Sequence, residues 1–137
     1  MGAAGAQPVG ARGNSHSMGE RGEGATMRVY IAGPYTDGDP EENTKNAIEA
    51  GNQLLELGYI PFIPHLTHYW DKLYPQPIQT WYKYDIEWLR LSDAVLRIPG
   101  HSRGASREVE LATLLHIPVY FSIEELVAST PRMGVKR

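Results

Sequence analysis

The chain has 137 residues, with 13 lysines and arginines against 16 aspartates and glutamates, and no cysteine. A formal net charge of −3 offers no basic face to a nucleic-acid polymer or an anionic membrane, and the missing thiols exclude a cysteine nucleophile, Cys-ligated zinc and a disulfide framework. No apolar run approaches the roughly 18 residues needed to span a bilayer, so the composition reads as one soluble, cytoplasmic domain.

Residues 1–26 hold 7 of the 14 glycines and no Ile, Leu, Phe, Tyr or Trp. That is too little apolar surface to offset the entropy of ordering them, so they are expected to form a disordered N-terminal extension. They lack the continuous apolar stretch of a secretory signal. The folded body is expected over 27–130, followed by a flexible tail at 131–137. About 111 residues suffice for one core without staples.

Residues 28–33 are a short apolar run rich in β-formers that ends in Gly-Pro, the pattern of a buried strand entering a loop. Asp39 can cap a helix that Pro40 opens, with Glu41 and Glu42 at its positive end. Ala47, Ile48, Gly51, Leu54 and Leu55 mark its apolar face, and Gly58 its stop. Residues 59–64 read as a second strand whose prolines suggest a sheet edge. An aromatic-rich loop is expected at 65–77, then a helix at 78–91 and a third strand at 94–98. A turn, a helix at 105–115, a fourth strand at 118–121 and a short helix capped by Ser122 complete the chain.

This alternation argues an α/β fold: a doubly wound (flavodoxin/Rossmann-like) parallel sheet of four to five strands with helices on both faces. Ligands of such sheets bind beyond the carboxyl ends of the strands, which singles out the loops 33–39, 64–77 and 99–107. None of them carries a dinucleotide fingerprint or a Walker pattern. No helical His-x-x-x-His pair or Asp-x-Asp cluster is present, so neither a metal nor a cofactor is expected. His65 and His68, three apart, read as loop polarity or base stacking.

Three features converge on that end of the sheet. The small-residue strand end at Gly33, Pro34 and Tyr35 lets a ligand approach the backbone, although taken alone it is also an ordinary strand-to-helix turn. Asp85 borders the core-facing Ile86 and Leu89 of its helix, where a carboxylate either faces a cleft or is solvated. Gly104 opens a helix directly after a strand, leaving free N–H groups for an anion, and Ser102, Arg103 and Ser106 add donors. Glu108 and Ala112 share one face of that helix, whereas Glu110 falls about 200° away and is expected to be exposed. Burying a carboxylate costs several kcal/mol unless it is partnered, which makes Glu108 a functional candidate.

Together, Val29-Tyr-Ile-Ala-Gly33, Asp85-Ile-Glu-Trp-Leu89, Ser92-Asp-Ala-Val95 and Ser102-x-Gly-x-Ser-x-Glu108-x-x-x-Ala112 resemble the nucleoside 2-deoxyribosyltransferase superfamily over about residues 28–121. The resemblance implies a doubly wound α/β domain that breaks the bond between a nucleobase and a (deoxy)ribose. It implies Glu108 as the nucleophile on the anomeric carbon, Asp85 as the acid for the departing base, and Tyr30 as the residue orienting Glu108. Gly33, Pro34, Tyr35, His65, Ser102, Gly104 and Ser106 would bind substrate.

One position divides the superfamily. Transferases acting on free nucleosides carry an Asp six residues before the nucleophile. Ser102 stands there instead, similar to the branch that hydrolyses 2′-deoxynucleoside 5′-monophosphates. The implied reaction is therefore cofactor-free hydrolysis of a nucleotide through a covalent glycosyl-enzyme. Base exchange between deoxynucleosides and non-catalytic nucleotide binding stay open as alternatives. The partners implied are a small nucleotide or nucleoside and a second copy in a homodimer or larger homo-oligomer, with Ser129 as a residue that could be lent across the interface. The loop at 64–70 is longer than in either branch, which leaves the base open.

Overall fold

A computed structural model of the chain describes residues 26–130. The disordered extension expected at 1–26 (apart from Thr26) and the tail expected at 131–137 lie outside the described residues. The elements are β1 (Arg28–Ala32), α1 (Pro40–Glu56), β2 (Ile60–Phe62), a short 3₁₀ turn (Pro64–Leu66), α2 (Thr67–Leu73), α3 (Ile78–Arg90), β3 (Ala94–Arg97), α4 (Arg103–Leu114), β4 (Val119–Tyr120) and α5 (Ile123–Ser129).

The sheet has four strands in the order β2-β1-β3-β4, all parallel. The chain winds outward from β1 in one direction to β2, then crosses back to β3 and β4. The reversal therefore lies between β1 and β3, where open α/β sheets leave a crevice at their carboxyl ends. Edge strand β2 carries Pro61 opposite Val29, an edge being where a residue without an N–H is tolerated.

Period-two alternation along β1 divides the core between two faces. Val29 and Ile31 pack with Ala47, Ala50 and Leu54 of α1, Leu96 of β3 and Leu126 of α5. Tyr30 and Ala32 point the other way, against Leu89 of α3 and Ala105 and Ala112 of α4. Each aliphatic side chain of Val, Leu or Ile size buried in this way contributes about 1.5–3 kcal/mol of transfer free energy. Helices thus cover both faces, as the alternating pattern requires.

Local signals set the helix ends. The Asp39 side chain accepts from the Glu41 N–H at 3.0 Å, and Pro40 takes the first helical position of α1. Gly58 follows its last turn at φ +96°, a conformation that suits glycine. Ser122 Oγ accepts from the Glu125 N–H at 3.0 Å and opens α5.

Two expectations are corrected. The buried stripe of α1 is Thr44, Ala47, Ala50, Gly51 and Leu54, while Leu55 is 60% exposed and Ile48 only half-buried. Close approach selects the small residues: a Cβ on Gly51 would stand 2.5 Å from Ile63 Cδ1. Residues 65–77 are not a plain loop either, since they hold most of the 3₁₀ turn and all of α2. No residue of α2 is fully buried. The helix is fixed by ring contacts to α3, with Trp70 centred 4.9 Å from Trp81 and 5.5 Å from Tyr84, so contacts across ten or more residues shape it rather than its own periodicity.

Candidate active site

The carboxyl ends of the strands and the helices α3 and α4 enclose a cleft of about 500 Å³. All three loops that follow β1, β2 and β3 reach its wall.

Glu108 is delivered by α4. Ser102 precedes that helix in extended conformation, and its Oγ accepts from the Ala105 N–H at 3.0 Å. Ala105 and Ala112 are fully buried, and their small side chains let α4 lie close against the Tyr30 face of the sheet. Tyr30, with no solvent exposure, donates its hydroxyl to Glu108 Oε2 at 2.7 Å. Its ring stacks on Phe62 at 5.6 Å, and Phe62 stacks on Trp88 at 5.5 Å, so the donor is held from behind. Burial, then the charges of Glu108 and Asp85, push the Tyr30 phenol well above its ordinary pKa, and it stays a donor at any neutral pH.

Asp85 comes from α3, one turn before the buried Leu89. It lines the same cleft as Glu108. Its Oδ1 is buried and has no hydrogen-bond partner among the described residues. Burial, reinforced by the Glu108 charge, pushes the Asp85 carboxyl up to about 8. Burial also raises Glu108, to about 7, against the pull of the Tyr30 hydrogen bond and then of Arg107 and Arg97. Two carboxyls in such surroundings share one proton near neutrality. Asp85 is raised further than Glu108, on which Tyr30 and the two arginines favour the negative charge.

The other expected site residues fall into place unequally. Gly33 lines the cleft, and a Cβ there would meet Ile98 Cγ1 at 2.3 Å, so a larger residue would have to displace the Ile98 side chain. His65 is buried and lines the cleft. Its Nε2 donates to the carbonyls of Pro34 at 3.0 Å and Gly33 at 3.3 Å. Its Nδ1 is buried without a partner among the described residues, and burial lowers its pKa, which keeps the ring neutral with one acceptor to offer. The Tyr35 hydroxyl lies 2.9 Å from His68 Nδ1, and His68 Nε2 donates to Glu41 at 2.9 Å. Tyr35, Ser102 and Gly104 are in the wall.

Pro34 and Ser106 are not brought to the wall. Pro34 is buried behind it and would touch a Cβ at Gly100. Ser106 is exposed, because two residues before Glu108 is about 200° around the helix. Glu110 is exposed for the same reason. Ser129, the last residue of α5, is exposed and lies outside the cleft wall.

Several cleft residues were not singled out from the sequence, Arg107, Trp81 and Asp71 among them. Arg107, next to Glu108 in sequence, lines the cleft and carries its guanidinium 5.6 Å above the Tyr82 ring, joining α4 to α3. Trp81 lies one turn before Asp85 on α3, a spacing that could have marked it. Asp71 of α2 accepts from Trp81 Nε1 at 2.7 Å, and nothing in its local sequence signals the contact. Among the described residues no group of three or more His, Asp or Glu could hold a metal ion, and no helix is long and apolar enough to cross a membrane.

Comparison with solved structures finds the same fold in a 2-deoxyribosyltransferase from the psychrotolerant bacterium Bacillus psychrosaccharolyticus. The TM-score is 0.52 at 24% identity, covering 67% of this chain and 69% of that one. Comparison with curated proteins finds no match. A family model described as a domain of unknown function matches residues 27–122, the span that holds the whole sheet and every residue of the cleft, and the chain belongs to that family, DUF7768.

Proposed function

We propose that the protein hydrolyses the N-glycosidic bond of a (2′-deoxy)nucleoside 5′-monophosphate, releasing free base and (deoxy)ribose 5-phosphate. The observation that carries this reading is a carboxylate fixed by a buried phenol, Glu108 on Tyr30 at 2.7 Å, sharing a cleft with a carboxyl, Asp85, whose buried oxygen has no hydrogen-bond partner among the described residues.

With Oε2 occupied by Tyr30, Glu108 Oε1 attacks the anomeric carbon. The bond from that carbon to the base nitrogen breaks as the base takes the proton of Asp85. Asp85, now a carboxylate, accepts a proton from water as that water attacks the same carbon and frees Glu108. This is the retaining two-carboxyl scheme applied to an N-glycoside, and acid assistance to the leaving group is typically worth 10²–10⁴-fold. The start of α4, with the Gly104 backbone and the side chains of Ser102, Arg103 and Arg107, supplies donors and positive charge suited to a 5′-phosphate.

A second reading is transfer of the sugar to another base, favoured by the fold shared with a 2-deoxyribosyltransferase. The two reactions have the same first half and differ in whether water or a base resolves the intermediate. Incubation with a panel of nucleosides and their 5′-monophosphates, with and without a second base, tests both by chromatography. Free base from monophosphates alone is the expected result. Exchange between nucleosides would select transfer, and intact substrates throughout would refute both.

A further inference from the structure

We propose that Asp71 selects the nucleobase, favouring bases whose edge farthest from the sugar carries an amino group (cytosine, adenine) over their keto counterparts (uracil, hypoxanthine). The inference rests on the nucleotide reading above and adds to it the substrate class.

Asp71 lines the cleft from α2. One of its oxygens, Oδ1, accepts both from Trp81 Nε1 at 2.7 Å and from the Gln76 N–H at 2.9 Å. Oδ2 takes no hydrogen bond from any described residue. The carboxylate is thereby clamped in one orientation with its second oxygen unassigned. The Trp81 bond, then the Gln76 bond, hold its pKa below the ordinary value, so at neutral pH it is an acceptor and never a donor.

Its position relative to Asp85 sets what it can read. Trp81 and Asp85 are four residues apart on α3, hence on one face with Cβ atoms about 5–6 Å apart. Asp71 lines the same cleft as Asp85 and is joined to that helix face through Trp81, from whose Nε1 it accepts. A base that takes its proton from Asp85 beside the glycosidic bond extends toward Trp81, Tyr82 and Ile78, an aromatic and apolar wall. The substituent pointing farthest from the sugar is the exocyclic group at position 4 of a pyrimidine or position 6 of a purine. Cytosine and adenine offer a donor there, and uracil and hypoxanthine an acceptor. An aspartate accepting from an exocyclic amine is a familiar base contact, whereas a keto oxygen facing it leaves two acceptors opposed. Asp71 is half-buried, so water softens the mismatch, and the expected preference is about 10- to 100-fold in kcat/KM.

The test compares 2′-deoxycytidine with 2′-deoxyuridine 5′-monophosphate, and 2′-deoxyadenosine with 2′-deoxyinosine 5′-monophosphate, on the native protein and on Asp71→Asn. The amide keeps Oδ1 for Trp81 and Gln76 and puts an NH₂ in place of Oδ2, so the preference should invert toward the keto bases. A merely structural tie between α2 and α3 would not distinguish the members of either pair. Equal use of both members by the native protein, or a preference for the keto base, overturns the inference without a variant, and so does an unchanged ratio in Asp71→Asn. If no nucleotide is cleaved, the hydrolase reading falls separately, and binding of the same pairs, followed by tryptophan fluorescence, decides on Asp71. Tighter binding of the amino member supports it, and equal or absent binding overturns it.

Discussion

Tyr30→Phe removes one hydroxyl and leaves the rest of a fully buried side chain, including the ring that stacks on Phe62. What is lost is a 2.7 Å hydrogen bond to a carboxylate, worth about 1.5–3 kcal/mol when the acceptor is charged. At about 1.4 kcal/mol per tenfold, the variant should lose about 10- to 100-fold in kcat/KM at neutral pH. The pH profile carries the reason. The proposed mechanism needs Glu108 ionised and Asp85 protonated, so the native rate should climb through about 7 and fall above about 8. Without the Tyr30 hydroxyl, Glu108 ionises only at higher pH, and the proton of the pair no longer prefers Asp85. The climbing limb should move toward the falling one, giving a lower and narrower bell. Base release measured across the neutral range, with circular dichroism as the folding control, decides the matter. An unmoved climbing limb with less than about a threefold loss would refute the account of Tyr30, because the bond would then contribute little to the carboxylate.

Asp85→Asn should slow release most for the most basic leaving groups and erase the falling limb; equal losses for ordinary and activated bases would leave Asp85 a positioning role only. The same variant should also melt several degrees higher at pH above about 8. The folded pKa of Asp85 is raised above its ordinary 3.8, so its contribution to stability is full below about 3.8 and is lost progressively as pH rises from there to about 8, a loss the amide does not suffer. Glu108→Gln should abolish base release with nucleotide binding nearly intact, and Glu110→Gln, on an exposed position, should be close to native; more than a few per cent residual turnover in the first would remove Glu108 as nucleophile. Ser102→Asp keeps a capping acceptor for α4, so the helix should persist, with circular dichroism as the control. At an effective dielectric near 20 and about 4 Å, its charge would oppose a phosphate by about 4 kcal/mol before screening. Monophosphate use should therefore fall more than tenfold while free deoxynucleosides hold or improve, and parallel changes in both would refute the phosphate placement.

The sequence by itself determined the order of strands and helices apart from α2, the edge position of β2, the caps at Asp39 and Ser122, and the outward turn of Glu110. Each of these depends on residues within a turn or two of one another, where periodicity, proline and capping chemistry act directly. The pairing of Tyr30 with Glu108 was legible only through resemblance, since the two are 78 residues apart and no local rule joins them. Tertiary structure alone decided the rest. Which stripe of α1 is buried was settled by how closely Gly51 meets Ile63, a matter of shape that apolar spacing does not encode. Whether α2 forms at all was settled by Trp70 finding Trp81 and Tyr84. That same docking turned an unremarked Asp71 into a clamped carboxylate in the cleft wall, and α4 packing against the sheet carried Arg107 to the wall and Ser106 away from it. A carboxyl, moreover, is an ordinary acid in the sequence. Only burial beside another carboxyl, in a cleft closed by three distant loops, leaves Asp85 with a proton to give at neutral pH.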